Sequence, residues 1–195
     1  MKGSFQSWNN RTKFSSILAP CLSFILIITL ANTGLASSAR EIDTSVDVAI
    51  ERWQKKVVGT DDLVKKSKGI LVFPSVFKAG FVFGGEYGEG ALRINGKTED
   101  YYNTIAASFG FQLGAQVKTI ILVFMEQSAL DKFRASEGWE AGVDGSVAII
   151  TVGAGDSIDT SNIQDPILGF VFGQKGLMYN LTLEGSKFSK IHPDK

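Results

Sequence analysis

KGILVFPSVFKAGFVFGGEYGEGALRI, residues 68–94, is the stretch that decides the fold. It predicts an apolar strand over Gly69–Phe73, a turn opened by Pro74, and a glycine-punctuated strand from Ala79 onward. Downstream, Asn95-Gly96 is a strong hairpin signal, because this pair supplies the two positive φ angles of a type I′ turn. The stretch therefore predicts neighbouring antiparallel strands.

A five-residue motif inside this stretch recurs. GFVFG at 80–84 returns unchanged at 169–173, and a looser copy, GFQLG, occupies 110–114. Alternation places Phe81 and Phe83 on one strand face, and the flanking glycines let a strand bend where another backbone approaches closely. Three such strands predict a strongly curved sheet with aromatic rings on its concave side. The alternative is that Phe-rich and Gly-rich strands resemble one another through composition alone.

The first 39 residues predict an export signal. An apolar run at 22–31 follows a positively charged segment that contains Lys2, Arg11 and Lys13. Small residues at 37–39 suit cleavage near Ala39, with Ala36 as a second choice. The run is short for a bilayer span, which needs about 20 residues, so we expect its removal; an uncleaved anchor is the alternative. We predict a signal peptide at 1–39, a domain at 40–195, and a periplasmic or envelope location.

Helical spacing follows the signal. Five apolar residues fall on one face of a helix within 40–58, namely Ile42, Val46, Ile50, Trp53 and Val57. We interpret this helix as packed on the sheet, and an interfacial membrane helix is the alternative. A short helix follows Gly59, and a third begins with the cap signal of Ser128 and Asp131.

Further strands are expected along the rest of the chain. The segments 108–114, 119–125 and 146–152 read as strands, and 169–173 with 177–183 reads as a closing hairpin. The predicted fold class is α+β: a curved, partly barrel-like antiparallel sheet with a long N-terminal helix and one or two short helices.

Reactive side chains are scarce after residue 39. That part has 17 basic and 20 acidic residues, no cysteine, and a single histidine, His192, three residues from the end. Ser-His-Asp, Cys-His and His/Cys metal arrangements are therefore not expected, and neither are nucleic-acid binding or a cofactor. Glu86 and Glu89, three residues apart, do not share a strand face, and we expect them at an exposed strand end or turn. We predict no enzyme activity; a hydrolase that uses carboxylates alone is the weakest alternative.

One window of the chain is clearly basic. Residues 55–78 hold six lysines against Asp61 and Asp62. A solvated helix face is the ordinary explanation, and a surface that faces anions is the sharper one. Ammonium groups beside apolar structure suit anionic lipid head groups, and the lack of Arg in this window favours loose over stereospecific recognition.

The motifs resemble a known family. KGILVFPSVFKAGFVFGGEYGEG at 68–90 is similar to the signature of the SYLF domain, also described as a lipid-binding or actin-binding domain. Weaker matches follow in order at 108–116, 130–133, 142–148, 153–154, 175–176 and 183–186. Together the matches span about residues 45–190. Asn180 departs from the pattern, where a glycine is expected.

This resemblance implies binding of anionic phospholipids, of the phosphoinositide or phosphatidic-acid type. It also implies actin binding in some members, which we do not expect here because exported bacterial members resemble the chain most closely. The motif match makes Lys68 and Lys78 candidate lipid contacts, and charge adds Lys65 and Lys66. The predicted function is non-enzymatic binding to an anionic membrane surface. The alternative is a protein-interaction or scaffolding module of the envelope.

Overall fold

The computed structural model describes residues 37–80, 83–109, 114–150, 165–176, 183 and 185–194, and within these ranges it has three helices and eight strands. The helices are α1 (Ala39–Lys56), α2 (Thr60–Lys66) and α3 (Gln127–Ala135). The strands are β1 (Gly69–Gly80), β2 (Phe83–Ile94), β3 (Lys97–Phe109), β4 (Gly114–Phe124), β5 (Trp139–Glu140), β6 (Ala148–Ile150), β7 (Ile167–Gly176) and β8 (Lys187–Ile191).

Helix α1 is the long N-terminal helix that the spacing predicts. A capping box closes its first turn: the Ser38 N–H donates to Glu41 Oε2 at 2.9 Å, and the Glu41 N–H donates to Ser38 Oγ at 3.3 Å. Its apolar stripe is buried against the sheet, so the packing interpretation is confirmed. The buried stripe consists of Ile42, Val46, Ala49 and Trp53.

Polar contacts near the start of α1 fix its position on the β2–β3 hairpin. Asp43 accepts hydrogen bonds from Thr98 Oγ1 at 2.7 Å and from the Tyr101 hydroxyl at 2.9 Å. Arg93 of β2 adds ion pairs to Asp43 and Asp47. Burial, and then the neighbouring Asp43 carboxylate, raise the pKa of Tyr101. Residues about 50 positions apart thereby hold the helix to the sheet.

The eight strands form one sheet in the order β5-β8-β3-β2-β1-β4-β7-β6. Neighbouring strands are antiparallel except β6 and β7, which are parallel. The sheet curls into a half-barrel, which confirms the predicted α+β class with a curved sheet. Asn95 and Gly96 have φ angles of 50° and 77°, so the predicted turn between β2 and β3 is confirmed.

Pro74 does not open a turn, and that prediction is wrong. β1 runs through it as one strand, with a register shift between Val72 and Ser75 against β2 and another between Phe73 and Val76 against β4. Proline cannot donate to a ladder, and an irregularity accommodates it inside a central strand. Opposite this point, a Cβ on Gly90 would lie 2.1 Å from the Val72 carbonyl oxygen, so the strands approach closely where a glycine permits it.

The three motif copies do not form three equivalent strands. Gly80 pairs with Gly84 across the ends of β1 and β2, so the first copy spans a strand junction, and Phe81 lies outside the described residues. The second copy also lies largely outside them, and the third lies within β7. The second strand of the predicted closing hairpin, 177–183, lies largely outside the described residues; within them, β7 pairs with β4 and β6. The predicted Ser128 cap is wrong, because α3 begins after Glu126.

Two apolar clusters lie on the two faces of the sheet. The inner cluster fills the curl and includes Leu71, Phe73, Tyr102 and the α3 residue Phe133. The outer cluster lies under α1 and α2 and includes Val72, Trp53 and Leu63. None of the described helices is long and apolar enough to cross a membrane.

Candidate functional site

Three of the four predicted lipid-binding lysines lie together. Lys65 and Lys66 occupy the last turn of α2, and Lys68 immediately precedes β1; all three side chains are exposed. We call Lys65, Lys66 and Lys68 the lysine corner. Lys65 Nζ lies 4.0 Å from Asp62 Oδ1, an exposed and weak contact. In the part of the chain that the structure describes, Lys66 and Lys68 form no ion pair, so their ammonium groups face solvent.

Lys78 does not belong to this corner. It lies ten residues beyond Lys68 along β1, which at about 3.3 Å per residue is roughly 30 Å away. Its side chain is 2% exposed and faces the inside of the curled sheet. The four lysines therefore do not form one surface.

Lys78 instead takes part in a buried ionic cluster of Lys78, Glu86 and Lys118. Lys78 Nζ lies 3.0 Å from Glu86 Oε1, and Lys118 Nζ lies 2.7 Å from Glu86 Oε2. Glu86 is 8% exposed and Lys118 is 1% exposed, so the expectation of an exposed Glu86 is wrong. Two ammonium groups share one carboxylate, and the three side chains carry a net charge of +1.

The strand register assembles this cluster. Lys78 of β1 pairs with Glu86 of β2 and Gln116 of β4, and Lys118 lies two residues further along β4 on the same face. Lys118 Nζ is close enough to Glu86 for an ion pair but makes no well-oriented hydrogen bond to a described residue. Such a cluster depends on Glu86, because charge is costly to bury without its counter-charge.

A row of exposed apolar side chains lies on the opposite face of the sheet, on β1, β2 and β3. Phe77, Tyr87 and Ile105 are 61%, 43% and 52% exposed. They are direct neighbours, since Tyr87 pairs with Phe77 on one side and with Ile105 on the other. We call Phe77, Tyr87 and Ile105 the outer apolar row. A contiguous exposed row of this kind is more informative than one exposed apolar residue.

Tyr87 and Glu89 are coupled beside this row. The Tyr87 hydroxyl donates to Glu89 Oε1 at 2.7 Å. Burial of the ring and then the Glu89 carboxylate raise the pKa of Tyr87 to about 12. The other Glu89 oxygen accepts from the Ser37 backbone N–H at 2.9 Å. Glu86 and Glu89 therefore occupy opposite faces, as their spacing predicts.

Two open depressions of about 220 and 230 Å³ lie elsewhere on the surface. The second is lined by Glu126 and Asp144, among other residues. Each of these carboxylates is already used locally, since Asp144 accepts from the Glu140 N–H at 2.7 Å and Glu126 from Ser128 Oγ at 3.3 Å. Among the residues described, no three His, Cys, Asp or Glu side chains are placed to hold a metal ion.

Sequence reasoning missed the buried ionic cluster and the outer apolar row. Pro74 was a signal that could have revealed both, because a proline inside a strand indicates a shift in side-chain alternation. After the shift, Val76 and Lys78 lie on the same inner face as Phe73, and Phe77 faces outward. The second lysine, Lys118, borders an apolar run and was also a signal.

Comparison with known proteins agrees with the motifs. Residues 105–192 match the family model Ysc84, described as "Las17-binding protein actin regulator". The matched region runs from within β3 through β8, whereas the sequence motifs extend the resemblance upstream to the lysine corner. A search of curated proteins found no match. The match confirms the resemblance that the motifs predict: residues 105–192 are similar to the SYLF (Ysc84) family.

Proposed function

We propose that this protein is exported to the cell envelope and binds membranes rich in anionic phospholipids there, without catalysing a reaction. The observation that carries the proposal is the lysine corner, where Lys65, Lys66 and Lys68 expose three neighbouring amines. Each lysine near an anionic surface contributes roughly 1 kcal/mol, so three contribute about 3 kcal/mol, or roughly a hundredfold in affinity.

The chemistry of the corner favours charge attraction over recognition of one head group. Lysine is a flexible point charge, and the corner has no arginine to grip a phosphate with two parallel hydrogen bonds. Binding is therefore expected to follow lipid charge and to weaken as salt screens the amines. Lys78 is left out of the proposed contact because it is buried against Glu86.

Liposome co-sedimentation tests the proposal. Residues 37–195 are mixed with phosphatidylcholine vesicles that either contain or lack phosphatidic acid. We expect pelleting only with the anionic vesicles, and its loss in the variant Lys65→Glu/Lys66→Glu/Lys68→Glu. A variant with the same charge change at exposed lysines elsewhere, Lys97→Glu/Lys132→Glu/Lys187→Glu, should still pellet. Equal pelleting of the two variants would refute the role of the corner.

The outer apolar row favours a second candidate, a protein-interaction module. Phe77, Tyr87 and Ile105 offer a contiguous apolar contact for a partner protein. The name of the matching family, which describes Las17 binding and actin regulation, is in line with an interaction role. A partner that is captured by the intact domain and the corner variant, but lost with Phe77→Ser/Ile105→Ser, would support this candidate. Lipid binding should be unchanged in that variant.

A further inference from the structure

The described part of the chain begins with a set of contacts made by three consecutive residues. The Ser37 N–H donates to Glu89 Oε2 at 2.9 Å, and Ser38 forms the capping box with Glu41. The Ala39 N–H donates to the Asp194 carbonyl oxygen at 2.8 Å. The compact unit that contains these contacts begins at Ser37.

A cut after Ala39, which the small residues at 37–39 suggest, would remove this set. It would delete Ser37 and Ser38, so Glu89 would lose its backbone donor and α1 would lose its N-cap. A cut after Ala36 keeps every one of these contacts. The residues before that bond also satisfy the small-residue pattern, with Gly34 three positions and Ala36 one position before the cut.

We infer that the chain is processed between Ala36 and Ser37, and that Glu89 binds the new N-terminus. A peptidase uses one water molecule to break the Ala36–Ser37 C–N bond. Ala36 receives the hydroxyl and ends as a carboxylate, and Ser37 becomes a free amine that is protonated at neutral pH. The inference rests on the proposed export of the chain, but not on lipid binding.

The chemistry of the Glu89 contact changes on cleavage. Before the cut, Ser37 offers Glu89 a neutral peptide N–H; afterwards it offers an ammonium group at the same position. A hydrogen bond with both partners charged is shorter and stronger than one with a neutral donor. Glu89 is half-buried and is held from its other oxygen by the Tyr87 hydroxyl, so the acceptor is already oriented. Processing thus strengthens the attachment of α1 to β2.

The cleavage site is tested by intact mass measurement and N-terminal sequencing of the full-length chain, expressed in its own host and purified from the envelope fraction. We expect a mature protein that starts at Ser37. A start at Arg40 or any other residue, or an unprocessed chain, would overturn the inference. These measurements do not depend on the lysine corner, so they stand apart from the liposome result.

Capture by Glu89 is tested by a double-mutant cycle on the mature protein. Glu89→Gln is compared with the unmodified residue, in chains with a free and with an acetylated Ser37 amine. We expect Glu89→Gln to lower the urea midpoint more in the free-amine chain than in the acetylated one. Equal shifts in both would overturn capture. Tyr87→Phe, which keeps the carboxylate, should preserve the dependence on the free amine.

Discussion

The two faces of the sheet differ most in the part of β1 that follows Pro74 and in the segments of β2 and β4 that pair with it. The inner face buries the ions of Lys78, Glu86 and Lys118, and the outer face exposes the apolar side chains of Phe77 and Tyr87. This inverts the usual distribution, in which charge faces water and oily side chains are buried. On the other side of Pro74, both faces of β1 and β4 are apolar and covered.

The difference shows that a side chain on this sheet is buried when another part of the fold packs over it, whatever its residue type. The apolar stripe of α1 packs over the outer face at the first part of β1, where Ile70 and Val72 lie, while Phe77 stays exposed. The inner face lies within the curl along the whole strand, so Lys78 is buried in spite of its charge. The inner face is therefore predicted to matter for stability, and the outer face for contacts with other molecules.

The largest expected effect is that of Glu86→Gln. It leaves two buried ammonium groups without the carboxylate they share, which should cost about 3–5 kcal/mol of unfolding free energy. The melting temperature should fall by roughly 6–20 °C for a domain of this size. Urea unfolding followed by fluorescence of the buried Trp53 and Trp139 measures it. Glu137→Gln, at an exposed position, is the control, and a similar loss in both would contradict the role of the cluster.

A smaller effect is expected from removing one amine. Lys78→Met or Lys118→Met leaves a balanced pair of one ammonium and Glu86, and methionine keeps most of the side-chain volume. Each variant should lose less than about 2 kcal/mol, clearly less than Glu86→Gln. The same urea experiment compares them. If either lysine variant lost more unfolding free energy than Glu86→Gln, the charge balance of the cluster would not explain the role of Glu86.

The outer face should tolerate change with little cost in stability. Phe77→Ser and Ile105→Ser replace exposed side chains, so each should alter unfolding free energy by no more than about 0.5 kcal/mol. Phe73→Ala, at a buried position on the inner face of the same strand, should cost about 3–5 kcal/mol. A large loss at Phe77 would mean that the outer row is part of the folding core.

The smallest effect concerns Tyr87. Its pKa is raised to about 12, so the folded state holds the phenol proton more tightly than the unfolded state, whose ordinary value is about 10. The stabilising contribution is complete below pH 10 and is lost as pH rises through about 12. Phenolate absorbance during an alkaline titration should lose one transition near pH 12 in Tyr87→Phe. If the transition that Tyr87→Phe removes lay near pH 10 instead, then Glu89 and burial would not raise the pKa of this phenol.

Local pattern predicted the parts of the fold that depend on local chemistry. The spacing of Ile42, Val46 and Trp53 predicted α1 and its buried face, and Asn95-Gly96 predicted a turn that the structure confirms. The apolar run at 119–124 is buried throughout, as its composition indicates. The family motifs predicted the resemblance that the family model confirms at residues 105–192.

Sequence reasoning failed where distant strands decide the outcome. Lys78 reads as exposed until its partner Glu86 is known, and that pairing depends on the register set by Pro74. The pairing of β8 with β3 joins residues more than 80 positions apart, so local pattern did not reveal it. Local charge and the end of a helix were enough to predict the lysine corner, so three of the four predicted lipid-binding lysines lie together.

The shifts on both sides of β1 have a mechanical consequence. Both ladders lose register at Pro74, where the Thr119 hydroxyl donates to the proline carbonyl at 2.9 Å. β1 therefore breaks register with both of its neighbours at one point, where an irregularity of this kind bends the strand. This shared break separates the side-chain alternation of the first half of β1 from that of the second half. One strand can therefore lie between two apolar clusters in its first half, and between buried ions and exposed apolar side chains in its second half.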